Sequence, residues 1–551
     1  MKKLFLINCR PPMVEAFKGA GCDVRTLWST ERELDVPALL DENNFIPDLV
    51  LQQESLGRRV FLSGLEKLDC LKIFWSVDTH LNMHWHGLYG SLFDGVLTTQ
   101  QKYIAALNER CHAEICWVPW MGARPGPEIG TASGVVPYRS RKHDICFVGR
   151  VSKERRSRQW FVDYLRGNYD LHQVDGLNYS QMMEEYRQTR IVPNEAIFGE
   201  VNFRLFEACS CGCAVVTPDI GDELGNLFEI GREIEVYSDV LELKEILDAL
   251  HRDPVRAASM GLAAYERILR DHLPANRASR ILDFAGCLGR RSVSSSEAKL
   301  YRALSEAALG EAGDPVVNWD ALVRSLLSLS PGMERDSALM RIFSISDMAD
   351  LFLNIARPYM RGKGSFGDCY FNMSASLSAM KLDLWDVAKH FWYAWKSADP
   401  AGNTMIPDSP LSLLLLWGDE LSKSGNSIRS GVAFNEKSGI PACAADCYFA
   451  ALFLSPGNLD VFRKLDSVFC GVKGAEPSRL GFLSHISLHS PDDWRASSDV
   501  GIINLKVFRI YEGLKELENA RALAVAAGRE RFFKRKLETE LPQYFRLVYG
   551  T

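Results

Sequence analysis

The sequence predicts two tandem α/β domains followed by an all-helical region. Three observations carry that expectation. Short apolar strand signals alternate with helical stretches through residues 4–120 and again through residues 144–287. A Gly-, Pro- and Ser-rich stretch, "ARPGPEIGTASGVVPYRSRKH" at residues 123–143, interrupts the rhythm. After the polar segment "LGRRSVSSSEA" at residues 288–298, strand signals become rare.

In the first part, "LFLIN" (residues 4–8) reads as a strand, and "VEAFKGAG" as a helix ending at glycine. Further strands are expected at residues 22–28, 48–53, 72–78, 95–99 and 113–120, with helices between most of them. The second part opens with "DICFVGR" (residues 144–150) and a helix from about residue 156. Strands are expected there at residues 170–176, 190–193, 213–219 and 233–239. The domains are therefore 1–122, a linker 123–143, 144–287, a linker 288–298, and a helical region 299–551. Ligands of such sheets bind at the carboxyl ends of the strands, and two such ends can face one another across a cleft.

Composition narrows the class. Hydrophobic residues make up 47% and charged residues 24%, an ordinary globular balance. A net charge of −6 gives no support to nucleic acid or an anionic membrane as partner. No run reaches the ~18–20 apolar residues of a membrane span, and the opening "MKKLFLINCRPP" lacks the ~7–15-residue apolar core of a secretory signal. The 14 cysteines are dispersed rather than packed into a short scaffold. The expectation is a cytoplasmic protein with reduced thiols.

The stretch "FGEVNFRLFEACSCGCAVVTP" (residues 198–218) raises the question of a metal or redox site. A helix over residues 200–211 would place Glu200, Arg204, Glu207 and Cys211 on one edge, with Val201, Leu205 and Ala208 toward the sheet. Cys209 then points away from Cys211, and Cys213 lies on the next strand. Structural zinc sites usually pair thiolates at C-x₂₋₄-C, with a second pair elsewhere, and no such arrangement is evident, so no metal is expected. The charged edge admits two readings. It is a set of helix-surface ion pairs, worth ~0.2–0.5 kcal/mol each, or it faces a cleft where Arg holds a diphosphate and Glu accepts from ribose hydroxyls.

That stretch, followed by "ELGNLFEIGREIEVYSDVLELKEIL" and "GLAAYERILRDHLPANRASRIL", resembles the nucleotide-binding half of GT-B glycosyltransferases, in the bacterial CgeB-like branch with its "FRxFEAxxxG" core. "ICFVGRVSKERRSRQWFVDYL" is similar to that branch's glycine turn and basic segment. "PDLVLQQES", "KIFWSVDTHLNMHWHGLYGSLFDGVLTTQQKYIAAL" and "CWVPWM" occur in the branch's order. The resemblance covers residues 1–287. It implies two Rossmann-like domains and transfer of a sugar, of the hexosyl class, from a nucleotide-sugar to an acceptor hydroxyl, with neither metal nor other cofactor.

Carried over residue by residue, the resemblance makes Glu207 the ribose-holding group and Arg204 a phosphate-side residue. Gly149 permits close backbone approach, Arg150 and Arg155 are nearby cations, and Asn194 and Asn202 line the floor. Arg155, Arg156 and Arg158 also read simply as a solvated, basic helix start. Many retaining members carry an earlier Glu with seven residues between the two; Gly199 occupies that place here, so the stereochemical outcome stays open. The first strand is followed by "NCRPP" instead of a Gly-Gly loop. In "DTHLNMHWH", Asp78 or His80 is the expected acceptor-side base or sugar-positioning residue; a hydrogen-bonded strand-end cluster is the plainer reading. His80 and His84 lie at i,i+4, but the HExxH pattern is absent.

In the helical region, Ala388, Trp392, Trp395 and Pro400, and later Ala444, Tyr448, Ala451 and Pro456, fall at the offsets of a tetratricopeptide repeat's second helix and closing proline. An irregular bundle is the alternative. Such arrays suit peptide binding, which makes a protein acceptor, such as flagellin or another surface protein, an expectation beside a glycan acceptor. The competing functional reading is a degenerate GT-B scaffold whose helical region binds partners. A dinucleotide oxidoreductase is disfavoured, since no G-x-G-x-x-G follows either first strand.

Overall fold

The computed structural model describes residues 2–153, 155–362, 367–397 and 405–550. Pro400 lies outside them. The first domain contains β1 (Lys3–Ile7), β2 (Asp23–Leu27), β3 (Glu33–Asp35), β4 (Leu49–Gln53), β5 (Phe61–Ser63), β6 (Leu71–Ser76), β7 (Gly95–Thr98) and β8 (Glu114–Trp117). Six of these form one parallel sheet in the order β2-β1-β4-β6-β7-β8. β3 and β5 pair separately, a small parallel ribbon that three-residue strands leave invisible to pattern reading. The second domain contains β9 (His143–Val148), β10 (Leu171–Val174), β11 (Thr189–Pro193), β12 (Ala214–Pro218) and β13 (Glu235–Tyr237), ordered β10-β9-β11-β12-β13 and again all parallel.

Both sheets are covered on both faces, and for that reason their central strands read as apolar runs rather than alternating ones. β1 is buried from Leu4 to Ile7 and β12 from Ala214 to Thr217. One continuous core joins the inner faces of the two domains, from Leu4, Leu51 and Trp75 to Cys146, Leu205 and Val215. The helix Pro274–Cys287 belongs to this core through Ala278 and Ile281. It returns to the first domain, where the Arg277 guanidinium donates to the carbonyls of Pro119 (2.7 Å) and Trp120 (2.7 Å).

The helical region embraces both domains. Leu309, on the helix Ser295–Glu311, is buried in the outer core of the first domain beside Phe61 and Tyr89. Trp494, Leu505, Leu517 and Phe533 are buried in the outer core of the second, beside Phe147 and Phe161. Between these anchors the helices Cys369–Lys381 and Trp385–Lys396 pair, as do Pro410–Lys423 and Ala444–Leu454. Ala388, Trp392, Ala444, Tyr448 and Ala451 are all buried in that core. No helix among the described residues is long and apolar enough to cross a membrane.

One expected element changes. The helix in "FGEVNFRLFEACSCG" runs Phe203–Ser210, starting three residues later than the spacing predicts. Glu200 is therefore not on the edge of Arg204 and Glu207. It lies in the preceding loop, where its carboxylate accepts from the Phe198 N–H (2.8 Å). Gly199, in the left-handed region at φ 63°, keeps that loop out of helix; its missing Cβ leaves room for Lys473 of the helical region. The three thiols are buried. Cys211 and Cys213 donate to the carbonyls of Met183 (3.4 Å) and Tyr186 (3.0 Å), and Arg141 from the linker donates to the Cys211 carbonyl (2.9 Å). They fill a helix–strand turn as small, apolar groups.

Candidate functional site

In each sheet the chain reverses its direction of winding beside the first strand. Those switch points lie between β1 and β4 and between β9 and β11. A crevice opens there at the carboxyl ends, which is where open α/β sheets bind ligands. The two carboxyl edges face each other. The Gln100 side chain donates to the Val201 carbonyl (2.9 Å) and accepts from the Val201 N–H (2.9 Å). Lys102 donates to the Gly199 carbonyl, and Trp120 packs on Phe203 with ring centroids 4.4 Å apart.

The switch point of the second domain is filled by side chains. Arg204 donates to the Val148 carbonyl through Nη2 (3.0 Å) and Nε (3.2 Å) and to Asn194 Oδ1 through Nη1 (2.8 Å). Its guanidinium lies over Phe147, 4.3 Å from the ring centroid. Gly149, at φ 156°, is required here: a Cβ would stand 2.9 Å from Arg204 Nη2. Asn194 is buried, and its amide also donates to Thr217 (3.0 Å). Asn202 donates to Asn194 Oδ1 (3.1 Å) and the Glu195 carbonyl (2.9 Å), but its own oxygen is buried with no partner among the described residues. Arg158 is buried and paired with Glu195 at 2.9 Å, so it is not part of a solvated helix start. Arg150 and Arg155 are exposed.

Glu207 lies one turn beyond Arg204 on the same helix. Its carboxylate makes no hydrogen bond or ion pair among the described residues. Desolvation pushes it up to about 7, against the opposing pull of Arg204 and Arg10. A half-buried carboxylate with no protein partner keeps acceptor capacity that a ligand's donors can meet.

The first domain presents Asp78 at the N-terminus of the helix Thr79–Gly90, two residues past the end of β6. Its carboxylate caps nothing; desolvation raises it, partly offset by Arg10. The Asp78 N–H donates to Glu54 Oε2 (2.7 Å), which also accepts from Val77 (2.7 Å), while Glu54 Oε1 accepts from Asn82 (2.7 Å). Burial, reinforced by the neighbouring Asp78 charge, pushes Glu54 up to about 8. Glu54 escapes sequence reading because nothing in "VLQQES" distinguishes it from a strand-end polar residue. His80 is buried with Nδ1 unpartnered, and burial, helped by Lys102, drives it down to about 4, so the ring is neutral at physiological pH. His84 and His86 on the same helix do not converge with it. His86 Nδ1 sits 2.7 Å from Ser76 Oγ.

Among the described residues, the grouping with metal-ligand spacing is His143, His172 and Glu185, not the cysteines or His80 with His84. Its imidazoles stack at 3.7 Å. His143 is the first residue of β9, so the group lies toward the opposite edge of the sheet from the cleft.

The residue most plainly missed by sequence reading is Arg10, from "NCRPP". It follows β1 at the switch point of the first sheet, and its guanidinium lies over Trp120 (5.3 Å) and Phe203 (5.9 Å), at the seam of the two domains. A cavity of about 130 Å³ opens beyond Glu195, between the ends of β11–β13 and the helical region, with Asp219, Tyr237, Lys473 and Lys506 in its wall.

Residues 139–283 match the family model described as "Glycosyl transferase-like", which places a domain of that description over the second α/β unit. No curated protein sequence matches the chain. Solved structures are similar at low identity. A sucrose-phosphate synthase from Thermosynechococcus elongatus is 10% identical, with 52% of this chain and 98% of that chain covered, at a TM-score of 0.38. Anabaena Alr3699/HepE in complex with UDP and glucose is 11% identical, with 52% and 100% covered, at 0.36. An S. aureus MnaA–UDP structure is 12% identical, with 51% and 95% covered, at 0.32.

Proposed function

We propose that the chain is a metal-independent glycosyltransferase of GT-B architecture, of the CgeB-like branch. It moves a hexose from a nucleotide-sugar to an acceptor hydroxyl. The observation that carries this reading is Glu207. On a domain matching a glycosyl transferase-like family, a partly desolvated carboxylate has no protein partner among the described residues and lies within electrostatic reach of Arg10 of the first domain. The ribose hydroxyls of a nucleotide are donors of the kind it lacks.

The residues divide the chemistry between them. The acceptor oxygen attacks the anomeric carbon, the carbon–oxygen bond to the diphosphate breaks, and the nucleoside diphosphate leaves with the electron pair. Negative charge grows on the leaving group, and cations beyond the end of β9, Arg150 and Arg155 among them, stabilise it without a metal ion. Asp78, unpaired at the end of β6, takes the acceptor's proton; its desolvation makes it a stronger base than an exposed carboxylate. His80, neutral, positions the sugar or acceptor. Arg204, bonded across β9 and β11, holds the donor floor in shape. The helical region, tetratricopeptide-like in its paired helices, selects an acceptor carried by a protein or a surface glycan in the cytoplasm.

The test is a donor screen in the presence of EDTA. UDP-, GDP-, CDP- and TDP-sugars are scored by thermal shift and by release of free sugar, with Glu207→Ala and Asp78→Asn alongside wild type. One nucleotide class should stabilise wild type and not Glu207→Ala, while Asp78→Asn should bind the donor and fail to transfer. A folded protein that answers no donor would sink the reading in favour of a partner-binding scaffold.

A further inference from the structure

We infer that Arg10 is the cation that grips the donor's diphosphate from the first domain, doing with a side chain what a glycine loop does with backbone amides. This rests on the nucleotide-sugar reading of the cleft and deepens it by naming a residue that neither the family match nor the sequence motifs assign.

β1 and β4 are neighbours in the sheet while the chain winds away from β1 in opposite directions, so the crevice of the first domain opens at their carboxyl ends. Arg10 stands at that opening. Its own N–H donates to Gln53 Oε1 at the end of β4 (3.0 Å), which locks the backbone across the crevice. Asn8, in the left-handed region at φ 56°, makes the turn that brings it there.

Pro11 and Pro12 are the first residues of the helix Pro11–Gly19 and carry no N–H. The Arg10 N–H is spent on Gln53, and the Met13 N–H donates to the Arg10 carbonyl (2.9 Å). These backbone groups therefore offer an anion no donor, and what the turn does present is the guanidinium. The residue before a proline is held extended, and Arg10, at φ −64° and ψ 146°, projects off the helix end instead of capping it.

The Arg10 guanidinium is positioned but unspent. It makes no hydrogen bond or ion pair among the described residues. It rests on the faces of Trp120 and Phe203, an aromatic shelf contributed by both domains. Cation–π contact fixes its position while leaving its five N–H donors for a ligand. Two unpaired carboxylates feel its charge, Glu207 on one side of the cleft and Asp78 on the other. A cation within electrostatic reach of both a ribose-holding group and an acceptor-side base is suited to the diphosphate that links nucleoside to sugar. Arg204 is poorly suited to the same task, because its donors are committed to Val148 and Asn194. Arginine suits a diphosphate because its planar fork binds two phosphate oxygens at once.

The experiment compares nucleoside diphosphates with nucleosides by calorimetry on the full chain. UDP, GDP, CDP and TDP are each set against the matching nucleoside, for wild type, Arg10→Gln and Arg10→Lys. Wild type should bind one diphosphate far more tightly than its nucleoside. Arg10→Gln should lose about tenfold to a hundredfold in diphosphate affinity, in line with a lost charge-assisted pair, and keep the nucleoside affinity. Arg10→Lys should fall between them, at least threefold below wild type, and it reports on the inference if the Gln variant does not fold. Equal diphosphate affinity in wild type and both variants would overturn the role of Arg10 and leave the nucleotide site standing. A wild type that binds neither diphosphate nor nucleoside would overturn the nucleotide reading itself, and this inference with it.

Discussion

The two switch points carry the same residue type in opposite states. At β9/β11, Arg204 is bonded to the carbonyls and amide of the strand ends and stacked on Phe147. At β1/β4, Arg10 is anchored through its backbone, and its guanidinium is free of polar partners among the described residues. An arginine whose donors are consumed maintains architecture, whereas one held in place with donors to spare is equipped for a ligand. Residue type alone does not separate the two. The distinction lies in where each donor ends.

The sharpest way to break this comparison is Arg204→Ala. It strips partners from Val148, Asn194 and Glu195 at once, and should cost about 2–4 kcal/mol, read as a lower urea midpoint or thermal midpoint. Arg10→Ala should cost under about 1 kcal/mol in the same assay. Equal losses would put the two arginines in one class. Next in size is Gly149→Ala, which puts a Cβ against Arg204 in a backbone region that disfavours side chains; about 1–3 kcal/mol should be lost.

Glu54 sharpens the comparison through pH. Its carboxyl is raised to about 8 from the usual 4.5, so the folded state holds a proton that the unfolded state releases. Stability from this group is present at low pH and lost as pH rises through about 8. Between pH 6.5 and 8 the protein should therefore lose about 1–2 kcal/mol, and Glu54→Gln should flatten that slope. Glu207 and Glu200, each near 7, act in the same direction. Below pH 6.5 the buried His80 and His272, both lowered to about 4, oppose it, because each must take up a proton that its folded site disfavours. A slope unchanged in Glu54→Gln would remove Glu54 from the account. The smallest structural effect belongs to Glu207→Gln. Its carboxylate has no partner to lose, so the thermal midpoint should hold or rise slightly while nucleoside affinity falls about tenfold.

The alternation of strand and helix and the second domain's glycine turn were legible in the sequence. They depend on local periodicity and on residues a few positions apart. Asp78, Gly149, Arg204 and Glu207 could be picked out as candidates because their types suit the chemistry at strand ends. Other features depended on distant parts of the chain. The helix at Phe203 begins late because Gly199 must clear Lys473, over 270 positions away in the chain. Arg158 is buried because β11 delivers Glu195 to it. Arg10 sits on a shelf whose two rings are about 110 and 190 positions further along. Sequence by itself determined which elements form and which chemical groups stand near strand ends. Only the tertiary structure decided which of those groups were already bonded, because hydrogen bonds, ion pairs and desolvation are set by neighbours in space, and most of these neighbours are remote in the chain.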